Sequence, residues 1–156
     1  FKELKKNFSK FGNIKIINSD GFLFLERKKI NADKKGIILI DPSYELKEDY
    51  EKVIKLINDN HDKFKNKIII IWYPIIDRNS TKDFVNEFKR TGIRDILRIE
   101  MPLENDKDEK GMTGSGLIVL NSHIKTAQSL RGTIIELQKC LQLKGNKKRA
   151  VVNLLR

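Results

Sequence analysis

A chain of 156 residues, 39% hydrophobic and 34% charged, has the size and balance of one soluble globular domain with a real core. Its longest apolar run, residues 68–72, falls far short of the roughly 20 residues a bilayer-spanning helix needs, so no membrane segment is expected. The net charge of +11 and isoelectric point near 9.7 make a polyanion such as nucleic acid the natural partner, although a Lys-, Ile- and Asn-rich surface is also what an A/T-rich coding sequence supplies.

In chain order, Leu4 and Phe8 share a face of a short opening helix that Gly12 and Asn13 break. Residues 14–17 are predicted as a short strand. A short helix with Phe22 and Leu25 inward follows, then a charged connector over 28–35. Residues 36–40 form an unbroken apolar run, the pattern of a strand buried on both faces. Helical spacing over 47–60 puts Tyr50, Val53, Ile54 and Ile57 on one side. Residues 68–72 predict a second buried strand, halted by Tyr73-Pro74. A helix over 81–91 follows, with Phe84, Val85 and Phe88 inward and Gly92 as terminator. Residues 96–99 and 117–120 predict two more strands, the latter antiparallel because no helix intervenes. A long helix over 125–143, a basic loop over 145–149 and a strand over 150–155 complete the chain. Alternating strands and helices imply a three-layer α/β sandwich on a largely parallel sheet. Ligands in such sheets sit beyond the carboxyl ends of the strands. Asp20-Gly21, Asp41-Pro42-Ser43-Tyr44 and Trp72-Tyr73-Pro74 all fall at those ends.

The segment Asp41 to Tyr44 has the parts needed to methylate an exocyclic amine. The lone pair of adenine N6 is delocalised into the ring, so the nitrogen is a poor nucleophile. Acceptors aimed at its two hydrogens localise that pair towards an incoming methyl group. Asp41 would supply one acceptor and a proton sink, the Pro42 carbonyl the other, and Tyr44 a ring on which a flipped base stacks. An ordinary strand-to-helix turn would use the same residue types. The strand before it and the helix after it supply the context the functional reading requires.

The tetrapeptide resembles the Asp/Asn-Pro-Pro-Tyr motif of adenine-N6 methyltransferases. The longer run Ile40-Asp41-Pro42-Ser43-Tyr44-Glu45-Leu46-Lys47 with Asp49-Tyr50 is similar to the RlmJ family, which methylates one adenine of large-subunit ribosomal RNA. Asp20-Gly21-Phe22, Ile71-Trp72-Tyr73-Pro74, Thr91-Gly92-Ile93-Arg94 and residues 111–116 match further blocks in order. The resemblance covers nearly the whole chain. It implies a class I, Rossmann-like fold that uses S-adenosylmethionine, acts on ribosomal RNA and works in the cytoplasm. It also implies that Asp20, Gly21 and Asp41 border the cofactor, with Asp20 accepting from the cofactor's adenine amino group. Asp41 is the implied catalytic acceptor. Pro42, Tyr44 and Tyr73 are the expected substrate contacts.

Two departures stand out. Ser43 occupies the place of the family's second Pro, which leaves the turn less rigid. The family's N-terminal half, with its first strand and Gly-rich loop, finds no counterpart in residues 1–156, which are therefore expected to be the C-terminal part of one catalytic domain. Residues 111–116 do not replace that loop, because they precede a strand where cofactor loops follow one. An alternative from another class is a catalytically inactive fragment that at most binds RNA. A third is a generic nucleotide-binding α/β domain.

The remaining residues carry plainer readings. Glu104, Asp106, Asp108 and Glu109 alternate with lysines and are expected to form a solvated turn rather than a metal site. His61 and His123 lack ligand-spaced partners and are expected at the surface or as caps. Cys140 is expected to be buried on a stripe with Leu137 and Leu141; as the single cysteine it allows no internal disulfide and suits a reducing compartment. Lys47, Arg78 and the run 144–149 are candidate phosphate contacts, each weighed against simple solvation.

Overall fold

The computed structural model describes residues 1–105 and 111–155. Its elements are α1 (Lys2–Phe8), α2 (Gly21–Arg27), β1 (Gly36–Ile40), α3 (Glu48–Asn60), β2 (Lys67–Ile75), α4 (Arg78–Arg90), β3 (Ile96–Pro102), β4 (Gly114–Leu120), α5 (Ile124–Leu141) and β5 (Val151–Leu155). The strands form one sheet in the order β1-β2-β4-β3-β5. Helices α3 and α4 pack on one face through Val53, Leu56, Ile57, Phe84, Val85 and Phe88, which meet Ile69, Ile71 and Ile118. Helix α5 packs on the other through Ala127, Leu130 and Ile134, against Leu97, Ile99, Val119 and Val152. The period of two along the strands splits these sets cleanly between the faces.

The expectation of a largely parallel sheet is corrected. Only β1 and β2 pair in parallel. Strand β4 inserts antiparallel between β2 and β3, and β5 runs antiparallel to β3. Strands β1, β2 and β3 nevertheless point the same way, so their carboxyl ends share one edge of the sheet. The predicted strand over 14–17 is absent; those residues pair with no strand, and Ile14 and Ile17 remain exposed. Helix α1 forms as expected but buries none of its residues.

Strand β1 is not buried on both faces. It is an edge strand, and Ile37 and Leu39 are 69% and 65% exposed. Both point to the α5 side of the sheet, but α5 lies over β3 and β5 and leaves that corner bare. Ile68 of β2 adds to the same uncovered patch. Cys140, Leu137 and Leu141 are also exposed, against expectation. The packed stripe of α5 runs through Ala127, Leu130, Ile134 and Gln138, and the cysteine lies off it.

Strand β2 runs on through Tyr73-Pro74 to Ile75 rather than stopping there. A proline survives in this internal strand because β1 pairs only as far as Ile71, so nothing borders β2 at Pro74 on that side. Its other neighbour is reached through the flanking residues; the Thr113 N–H donates to the Ile75 carbonyl at 2.7 Å.

Candidate active site

Asp41 follows the last residue of β1 and stands exposed at the carboxyl edge of the sheet. Its carboxylate takes no hydrogen bond or ion pair from any described residue. Beside it lies a cleft of 230 Å³ walled by Phe22, Leu25, Leu39 and Pro42, with Gly21 at its rim. A purine fits the character of this hollow, which has apolar walls and a carboxylate at one end. Pockets for whole drug-sized ligands start near ~300 Å³. The cleft therefore matches part of a nucleoside-bearing cofactor, not all of one.

The turn after Asp41 is held in an unusual conformation. Tyr44 has φ 53°, in the left-handed region that a bulky side chain avoids. Such backbone costs on the order of 1–3 kcal/mol and persists where its surroundings enforce it. Here the enforcement is visible. The Tyr44 hydroxyl donates to the Trp72 carbonyl at 2.7 Å, and its ring packs on Tyr50 at 4.5 Å between centroids. The Trp72 carbonyl lies one residue beyond the last β1–β2 pair, so the phenol takes the ladder place that β1 vacates. Burial raises the phenol pKa far above its ordinary value, and Tyr50, Asp41 and Asp49 add to the rise. Tyr44 is thus a neutral donor that braces the turn.

This corrects the expected stacking role of Tyr44. With 6% of its surface exposed, its ring offers no face to a base in this conformation. A direct check is available. Tyr44→Phe should cost about 1 kcal/mol of stability through loss of the carbonyl bond. Urea unfolding of this chain reads that cost, and a midpoint equal to wild type would show that the phenol does not brace the turn.

Tyr73 is corrected in the same way. It is fully buried and its hydroxyl donates to Glu100 at 3.0 Å, so it does not reach the ligand edge. Glu100, 1% exposed, also accepts from Arg98 Nε at 3.0 Å and Nη2 at 2.7 Å. Burial first, then the Glu100 carboxylate, pushes the Tyr73 pKa upward. The ring of Tyr73 lies across Gly116; a Cβ built there would sit 2.2 Å from the ring. This interior network was not foreseen from the sequence. The signal that could have found it is Gly114 and Gly116, two glycines alternating along a strand where other atoms approach closely.

Asp20 and Gly21 part company. Gly21 lines the cleft with Asp41, but Asp20 caps α2, accepting from the Leu23 N–H at 3.0 Å. Asp20 borders a separate hollow with Ser19, Leu23 and Arg27. His123 caps α5 through Nδ1, as expected of a capping histidine. Asp106, Asp108 and Glu109 lie outside the described residues. Among the described residues no group of three or more potential ligands could hold a metal, and no helix is long and apolar enough to cross a membrane.

Comparison with known proteins joins these observations. A family model described as "Ribosomal RNA large subunit methyltransferase D, RlmJ" matches residues 1–152. The chain is 37% identical over 131 residues to ribosomal RNA large subunit methyltransferase J of Escherichia coli, covering 84% of this chain and 47% of that protein. It is 39% identical over 118 residues to the Haemophilus influenzae protein of the same name, covering 76% and 42%. The crystal structure of a Legionella pneumophila protein superposes with a TM-score of 0.72 at 27% identity, covering 87% of this chain and 49% of that one. The chain spans about half the length of the curated relatives it matches. Matched along nearly all of its length, it belongs to the RlmJ family of ribosomal RNA large subunit methyltransferases.

Proposed function

We propose that this chain is the C-terminal half of a class I, Rossmann-like methyltransferase domain that transfers a methyl group from S-adenosylmethionine to adenine N6 in large-subunit ribosomal RNA, in the cytoplasm. The observation that carries the reading is Asp41: an unengaged carboxylate at a strand tip, beside a purine-sized cleft. The family's name, the charge of +11 and the motif's strand-turn-helix context support it.

S-adenosylmethionine would supply an electrophilic methyl group. Gly21 and the apolar walls Phe22 and Leu25 suit its ring-bearing end, with Asp41 close by; the volume of the cleft leaves the other end to residues outside it. Asp41 accepts one N6 hydrogen of the target adenine, and the Pro42 carbonyl accepts the other. Both acceptors draw the lone pair out of conjugation with the ring and leave it directed towards the methyl donor. Asp41 then takes the proton that the alkylated nitrogen releases. Tyr44 serves this step indirectly, by fixing the backbone that carries both acceptors. The adenine is unstacked or already single-stranded when it enters.

The remaining half of the domain would lie against β1, over Ile37, Leu39 and Ile68, whose exposure supports a covering partner. The same bare patch and the small cleft favour a second reading for the chain by itself: a catalytically inactive, RNA-binding fragment. One pair of experiments separates these. The chain extended to the family's full length is incubated with methyl-labelled S-adenosylmethionine and large-subunit ribosomal RNA, and the digested nucleosides are separated. Label in N6-methyladenosine is expected; label only in another nucleoside, or none, refutes the assignment. Calorimetry of the 156-residue chain alone should find no micromolar binding of S-adenosylmethionine, and finding it would remove the inactive-fragment reading.

A further inference from the structure

The turn between α5 and β5 carries Lys144, Lys147, Lys148 and Arg149, and the fold ties its backbone down. Gln138, 6% exposed, donates through Nε2 to the Pro102 carbonyl at 2.5 Å and to the Lys148 carbonyl at 3.1 Å, while its Oε1 accepts from the Ala150 N–H at 2.9 Å. Asn105 clasps the turn from outside, donating to the Gly145 carbonyl at 2.8 Å and accepting from the Lys147 N–H at 2.9 Å. Asn146 donates to the Pro102 carbonyl at 3.1 Å. The Leu143 N–H donates to the Leu103 carbonyl at 3.0 Å. By contrast, the side chains of Lys144, Lys147 and Arg149 are exposed and form no ion pair with any described residue.

The anchor points fix where these charges lie. Pro102 and Leu103 end β3, whose carboxyl end shares the sheet edge with Asp41. Asp41 and the end of β3 are three strand spacings apart across the sheet, about 14 Å at ~4.8 Å per strand, and the register sets Pro102 level with Ile75, about 10 Å further along, so the gap is roughly 17 Å. A stacked strand advances ~3.4 Å of helix axis per phosphate, so about five nucleotides span that gap. A basic loop whose backbone is held by side-chain amide hydrogen bonds has lost much of its backbone entropy before any ligand arrives, an arrangement that favours binding a polyanion.

We infer that the turn 144–149 is a preformed ridge that grips the phosphate backbone of the substrate RNA beside the target base. This rests on the proposed methyl transfer to RNA and adds to it the surface that holds the flanking strand. The sugar and phosphate contacts of such a ridge set register and affinity and carry no sequence preference.

The test measures binding of a fluorescently labelled 20-nucleotide single-stranded RNA to this chain by anisotropy, between 50 and 200 mM KCl. Each phosphate contact to a single strand contributes about 0.7 to the slope of log affinity against log salt. The triple variant Lys144→Ala, Lys147→Ala, Arg149→Ala should bind at least about ten-fold more weakly, with a slope shallower by about 2. A control triple variant, Lys2→Ala, Lys5→Ala, Lys6→Ala on α1, removes the same charge elsewhere and should leave the slope as in wild type. Equal losses from both triple variants, or an unchanged slope in the first, overturn the ridge. The methyl-transfer reading is scored separately, by formation of N6-methyladenosine in the full-length protein, so a ridge can fail while methylation stands, and the reverse.

Discussion

Asp41→Asn in the full-length methyltransferase should lower the single-turnover rate of methyl transfer by about 10²–10³-fold, the usual cost of removing one preorganised electrostatic contact. The amide keeps the size of the side chain and one oxygen acceptor. It loses the negative charge that steadies the developing positive charge on N6, and it cannot take the released proton. Because Asp41 is exposed and bonded to no described residue, the substitution should leave the unfolding midpoint of the chain unchanged. Rapid-quench assays with labelled methyl donor read the rate, and urea titration reads the fold. A variant that methylates at near wild-type rate would dismiss Asp41 as the acceptor; one that unfolds would recast it as structural.

Gly116→Ala should be strongly destabilising. The new methyl group would fall 2.2 Å from Tyr73 Cζ and 2.5 Å from its hydroxyl oxygen. No rotamer adjustment of an alanine relieves that overlap, so the ring must move. Moving it breaks the 3.0 Å bond to Glu100, a carboxylate buried to 1% exposure. Overpacking of this kind costs about 3 kcal/mol or more once a buried polar contact is lost as well. The sharper test is a double-mutant cycle with Tyr73→Ala. In that background the space above Gly116 is empty, and Gly116→Ala should cost much less. Equal costs in the two backgrounds would mean that the glycine is required for its backbone and not for the ring above it.

The contrast between Asp41 and the two tyrosines shows what each level of description can reach. Hydrophobic periodicity alone located every strand and helix of the sheet except a spurious strand at 14–17, and it identified the strand tip from which Asp41 projects. Local residue types also gave the inward faces of α3 and α4, and left His123 as a surface or capping residue, of which the structure shows the cap. These properties depend on a residue's neighbours in the chain, so they are written locally.

The depth of a side chain is not. Tyr44 lies in the turn after β1 and Tyr73 near the end of β2, where an aromatic ring can turn outward to a ligand or inward to a core. The choice was made by partners 28 and 27 residues away, the Trp72 carbonyl and Glu100. Gln138, a polar residue on a long helix, is buried because the end of β3 and the turn before β5 meet over it. The exposure of Ile37 and Leu39 likewise follows from where α5 lies and not from the apolar run that contains them. The sequence by itself determined the elements, their order and the placing of Asp41 at the tip of β1. Only the tertiary structure decided which polar groups are enclosed and which face solvent, because burial is set by contacts between segments distant in the chain, and no local pattern encodes them.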